Sequence, residues 1–150
     1  MIVSILAGAV STNFIRLKDE VQLNGAYNVI LGDLKLCQNL SMNTSELYIN
    51  GKYYNVLYGI EIIDEFSYKR VIFSSVPEKL RDESPVIELT ENKGAKLVLD
   101  GGMTDLVYVV FEKDGRAGFY DFAMDKLSYI DDGPEISVKS EKIKSIKSID

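Results

Sequence analysis

Five acidic side chains, Asp121, Asp125, Asp131, Asp132 and Glu135, crowd the segment DFAMDKLSYIDDGPE, and Asp64-Glu65 form a second acidic pair. Paired carboxylates serve two kinds of chemistry: glycoside hydrolysis, and coordination of hard cations such as Ca²⁺ and Mg²⁺. The spacing here matches no calcium loop, and Asp is favoured at strand turns for backbone reasons alone. The segment therefore reads as a solvated acidic rim. The chain has no His, which removes the commonest general base and the His-dependent triads. One cysteine, Cys37, cannot assemble a structural zinc site or a disulfide framework. Without a His partner it reads as a buried, inert thiol. No Walker loop and no GxGxxG cradles a phosphate. The expectation is a non-enzyme without cofactor or metal; a carboxylate- or metal-dependent hydrolase is the exception the acids leave open.

Aromatic side chains offer a different chemistry, that of contact. Tyr48, Tyr53, Tyr54, Tyr58 and Tyr68 place five of the nine tyrosines in a short span. Tyr supplies broad apolar area and a hydroxyl at low entropic cost, which suits interfaces. Tyr48 and Tyr53, with Tyr27 and Glu46, are the candidate partner-binding residues.

Asx-Gly pairs between β-branched and aromatic residues are the strongest short-range hairpin signal, because both loop residues need positive φ. Four occur: Asn24-Gly25, Asn50-Gly51, Asp100-Gly101 and Asp114-Gly115. A two-residue loop at Asn50-Gly51 pairs Tyr48 with Tyr53 and Leu47 with Tyr54. Alternation then puts Leu47, Ile49, Tyr54 and Val56 on the core face, and Glu46, Tyr48, Tyr53 and Asn55 on the other. EVQLNGAYNVILG repeats the pattern of ELYINGKYYNVLYG, with Val21, Leu23 and Ala26 sharing one face and Glu20, Gln22 and Tyr27 the other. Two copies do not make an array, so the repeat reads as one hairpin recipe used twice.

MIVSILAGAV reads as a buried first strand, and further strands are expected at YGIEII, YKRVIFS, PVIEL and PEISV. Turns are expected at Gly32-Asp33, Asn92-Lys93-Gly94 and Asp132-Gly133-Pro134. Helix signals are few. SVPEKLRDE is capped at Ser75 and stopped by Pro85. Phe14, Leu17 and Val21 have helical spacing over 12–19, in competition with the hairpin. Ile143, Ile146 and Ile149 favour a helical turn starting at Ser140 over a strand.

At 150 residues with net charge −6 the chain has the size and composition of one globular domain, 1–150. Four Lys stand against Glu141 and Asp150 in the last twelve residues, making 140–150 a short basic tail on an acidic body. Acidity argues against nucleic acid and anionic lipid as partners. No apolar run is long enough for a membrane helix, and no basic stretch precedes MIVSILAGAV, so a cytoplasmic protein or a particle component is expected. Strand and turn spacing predicts a mainly β, antiparallel sandwich or open barrel built from hairpins, with one or two short helices. LYINGKYYNV resembles the opening strands of small phage tail proteins. VFEKDGRAGFYD resembles one WG-type repeat, with Ala117 where that repeat carries Trp. Each resemblance covers about a dozen residues of hairpin pattern and assigns no family. The functional expectation is an acidic, non-catalytic protein-binding module: an inhibitor, immunity-type protein or phage antagonist contacting a protein partner such as a basic enzyme. The alternatives are a particle subunit that binds copies of itself through sheet edges, and a β-barrel holding a small molecule.

Overall fold

In the computed structural model residues 2–43 form no strand. Described are residues 2–44, 46–74, 87–89, 95–100, 107–121, 126–129, 135–140 and 145–149. Helix α1 runs Ile2–Asn43, 42 residues, or about 63 Å at the usual rise per residue. The expected first strand, the Asn24-Gly25 hairpin and the Gly32-Asp33 turn all lie inside it. Leu23, Ala26, Ile30, Leu34, Cys37 and Ser41 are buried, and their steps of three and four residues draw one helical stripe. Burying that stripe outweighs the roughly 1 kcal/mol that a glycine costs in a helix interior. No proline precedes Pro77 to interrupt the helix.

The remaining elements among the described residues are strands: β1 (Glu46–Ile49), β2 (Lys52–Asp64), β3 (Ser67–Ser74), β4 (Ile87–Glu88), β5 (Ala95–Asp100), β6 (Val107–Phe111), β7 (Ala117–Asp121), β8 (Lys126–Tyr129), β9 (Glu135–Ser140) and β10 (Ser145–Ile149). Every pairing among the described residues is antiparallel. Seven strands make one sheet in the order β4-β3-β2-β6-β7-β8, with β1 paired to β2; the second sheet is β10-β9-β5. The larger sheet is open, ending at β4 and β8. Among the described residues the chain is thus sheet-rich and antiparallel as expected, and its helix is one long element rather than the short one expected at 12–19.

Three hairpin expectations meet different outcomes. Asn50-Gly51 forms a two-residue loop with φ of 49° and 85°, and the register pairs Ile49 with Lys52 and Tyr48 with Tyr53. Asp114-Gly115 lies in a loop one residue longer. Gly115 N–H bonds to Glu112 O at 3.0 Å and Glu112 N–H to Arg116 O at 2.8 Å, with φ of 86° at Gly115, the pattern of a turn followed by a glycine bulge. Asp100 ends β5, which pairs with β9 in the other sheet, and Gly101 with the residues that follow it lies outside the described residues. The expected helical turn from Ser140 is also corrected: β10 pairs with β9, Ile149 opposite Ile136. There the sheet ladder overrides the three-residue isoleucine spacing. The SVPEKLRDE helix and the Asn92-Lys93-Gly94 and Asp132-Gly133-Pro134 turns lie outside the described residues.

The main core joins the trailing half of α1 to both sheets: Leu23, Ala26, Ile30, Leu34 and Cys37 pack with Ile60, Ile62, Tyr68, Val109, Phe111 and Phe119, and with Ile136 and Val138 of β9. Val71, Phe73, Tyr108 and Val110 form a second buried cluster with Leu57, on the opposite face of β2, β3 and β6 by alternation.

Candidate functional site

Two exposed surfaces and two interior polar groups are candidates. The first interior group lies between α1 and the large sheet. The Tyr68 hydroxyl donates to Asp33 Oδ2 at 2.7 Å, Arg70 Nε stands 3.9 Å from Asp33 Oδ1, and the Cys37 thiol donates to Gly59 O at 3.4 Å. Burial pushes the Cys37 thiol up to about 11, with the Asp33 charge adding to the effect and Arg70 opposing it. Burial and then the bond to Asp33 raise the Tyr68 phenol above its ordinary range. Cys37 is therefore a protonated, inaccessible thiol at neutral pH, as its sequence context suggested, and no nucleophile.

The second group is on the other face of the sheet, where Glu61 is buried. Its Oε1 accepts from the Tyr108 hydroxyl at 2.8 Å, and its Oε2 lies 3.1 Å from Lys69 Nζ. Tyr108 in turn meets Phe73 edge-on, ring centroids 5.3 Å apart. The cation and the hydroxyl offset the cost of burying this carboxylate, while Oε2, in ion-pair range of Lys69, accepts no hydrogen bond. Among the described residues no group of three His, Cys, Asp or Glu could hold a metal ion.

Of the acidic candidates, Asp121 and Glu135 belong to different sheets. Asp121 ends β7 opposite Lys126 in the large sheet. Glu135 opens β9 opposite Asp100 in the small one. Asp125, Asp131 and Asp132 lie outside the described residues. Asp64 serves the backbone of the β2–β3 turn, where its Oδ1 accepts the Phe66 N–H at 2.7 Å. That bond first, then one to Ser67, holds its carboxyl below the usual range.

The tyrosine hairpin has the face expected of it. Tyr48 and Tyr53 are 63% and 71% exposed, and their rings meet at 4.8 Å, tilted by 50°. Glu46 and Asn55 are exposed beside them and Val56 is buried. Tyr27 does not join this face. It is a helix residue, half-buried and packed against the main core, because the segment that was to carry it as a strand is helical.

The other exposed surface was absent from the candidate residues. Ile15 is exposed on the other side of the helix, and Phe14, Leu17 and Val21 are 68%, 57% and 62% exposed. At 100° per residue these three fall on the side of α1 opposite the buried stripe that begins at Leu23. The apolar face of the helix thus changes sides near residue 22. The signal was present as the 14, 17, 21 spacing, but the Asn-Gly pair behind it pulled the segment towards a strand. No helix among the described residues is long and apolar enough to cross a membrane. Comparison of the chain with family models, with curated proteins and with solved structures finds no match in any of the three.

Proposed function

We propose that the chain is a structural subunit that associates with copies of itself through the leading half of α1. The observation that supports this most is the exposed apolar stripe Phe14, Leu17, Val21 on the side of the helix away from its own body. A contiguous apolar surface of this kind marks an interaction site, and each such side chain gains about 1.5–3 kcal/mol on burial. Sheet edges, the contact expected from the sequence, are not needed for it. Arg16 pairs with Glu20 at 3.3 Å on the exposed helix, adding little stability, so the stripe dominates the energetics of this segment. Light scattering across concentration tests the reading: the chain should exceed its monomer mass of 16.8 kDa, and Phe14→Ser with Leu17→Ser and Val21→Ser should return it to monomer with a melt that stays cooperative and no longer depends on concentration. A monomer at every concentration would reject it.

The second reading, a protein-binding module, is favoured by the exposed Tyr48–Tyr53 pair, whose rings meet at a tilt. Such a pair can sit at the centre of an interface, where truncating one aromatic costs about 2 kcal/mol or more. Tyr48→Ala with Tyr53→Ala should leave folding cooperative, and loss of assembly or partner capture in that variant would move the contact to the hairpin.

A further inference from the structure

We infer that the copies associate in parallel, their leading helical halves wound side by side with equal residue numbers level with one another. The inference rests on the assembly reading above and supplies its geometry. Phe14, Leu17 and Val21 are spaced 3 and 4 apart, the a and d rhythm of a heptad with Phe14 and Val21 at a and Leu17 at d. The same rhythm carried back along the helix reaches Val10, Ala7 and Val3. Six successive a and d positions are thus apolar, within a leading segment that is apolar at Ile2, Ile5, Leu6 and Ala9 as well. A strict 3.5-residue repeat is what a winding helical partner requires, whereas the trailing half, with its broader stripe, packs on sheets. A second copy supplies the same rhythm and length, which makes it the matched occupant.

Charge chooses the direction. Arg16, Lys18, Asp19 and Glu20 are the only charged residues among the first 32 and sum to zero. In the heptad register Lys18 stands at e and Glu20 at g, on opposite flanks of the seam. Parallel helices lay the e flank of one against the g flank of the other, bringing Lys18 alongside Glu20 of the second copy. Antiparallel helices lay e against e and g against g. A full antiparallel overlap would also set this charged band beside the uncharged residues 4–8, where its charges find no partner.

Disulfide trapping in the full chain reads this geometry directly. Cys37 is buried, so the unsubstituted chain should give no cross-link and serves as the baseline. Under mild oxidation Leu17→Cys and Val21→Cys should each shift from monomer to covalent dimer, while Asp19→Cys, on the outer f position, should stay monomeric. If the chain is oligomeric by light scattering but Leu17→Cys traps only when mixed with Ala7→Cys, the helices run antiparallel and the inference is overturned with the assembly reading intact. If the chain is a monomer in solution, both fall. Should it be monomeric and co-sediment with phosphatidylcholine vesicles without any trapped dimer, the stripe faces lipid and the inference is again wrong.

Discussion

Gly51 and Gly59 show how differently two glycines are required. Gly51 has φ of 85° with open space around it, so its constraint is the backbone conformation alone. Gly51→Val should cost about 1–3 kcal/mol, seen as a lower melting temperature; an unchanged value would show that the hairpin tolerates another loop. At Gly59 the constraint is space: an added Cβ would overlap the Val109 carbonyl oxygen. Gly59→Ala should therefore push β6 away from β2 and also disturb the carbonyl that receives the Cys37 thiol. Cys37 itself predicts a pH dependence. Its pKa rises from 9.0 to about 11 in the fold, so below 9 both states hold the proton and its contribution is complete. Between 9 and 11 the unfolded thiol ionises while the folded one does not, and stability falls with rising pH. The raised Tyr68 phenol continues the loss above its ordinary 10.0. Urea midpoints should drop across this window, and Cys37→Ala should flatten the drop between 9 and 10. The same slope in the variant would assign the loss elsewhere.

Among the elements, α1 and the β1–β2 hairpin carry the same Asn-Gly signal to opposite ends. At Asn50-Gly51 the flanking residues alternate, Tyr48 and Tyr53 out and Val56 in, and the local recipe decides register and faces together. At Asn24-Gly25 the letters are nearly identical, yet Leu23, Ala26, Ile30, Leu34 and Cys37 supply a helical stripe that two sheets cover. The repeat was legible and its meaning was not, because the covering partners come from residues 60–138. The C-terminal strand was missed for a related reason: pairing with β9 is a long-range gain that isoleucine spacing does not announce. The exposure of Tyr48 and Tyr53 could be read from alternation, whereas the site role of Phe14, Leu17 and Val21 was hidden by the strand assignment. Gly32 tests the helix directly. It has nothing within 4 Å of an added Cβ, so Gly32→Ala should stabilise by about 0.5–1 kcal/mol. A turn glycine at that position would respond with a loss.

For the whole molecule, the change of sides near residue 22 divides α1 between two roles. Its trailing half is core, and the described side chains of its leading half, Phe14, Leu17 and Val21, stay out of it. Removing residues 1–21 should therefore keep the far-ultraviolet signature of the sheets and a cooperative melt while abolishing association. A truncated chain that fails to fold would place the leading half in the body after all. The end of the helix is tied down by unlike bonds. Gln38 donates to Gly115 O at 2.8 Å, and Ser41 Oγ accepts the Tyr58 N–H at 2.7 Å. Lys113 donates to Thr44 O at 2.5 Å and to Val56 O at 2.7 Å, and desolvation there lowers its pKa. These ties join a single helical rod to β2 and to the β6–β7 turn. A pull on the leading end would travel along the rod and reach the thiol, amide, hydroxyl and ammonium bonds together, loading them in shear rather than one after another. An anchor of this form yields late and all at once, so tension between neighbouring copies would leave the sheets intact until the whole helix slips.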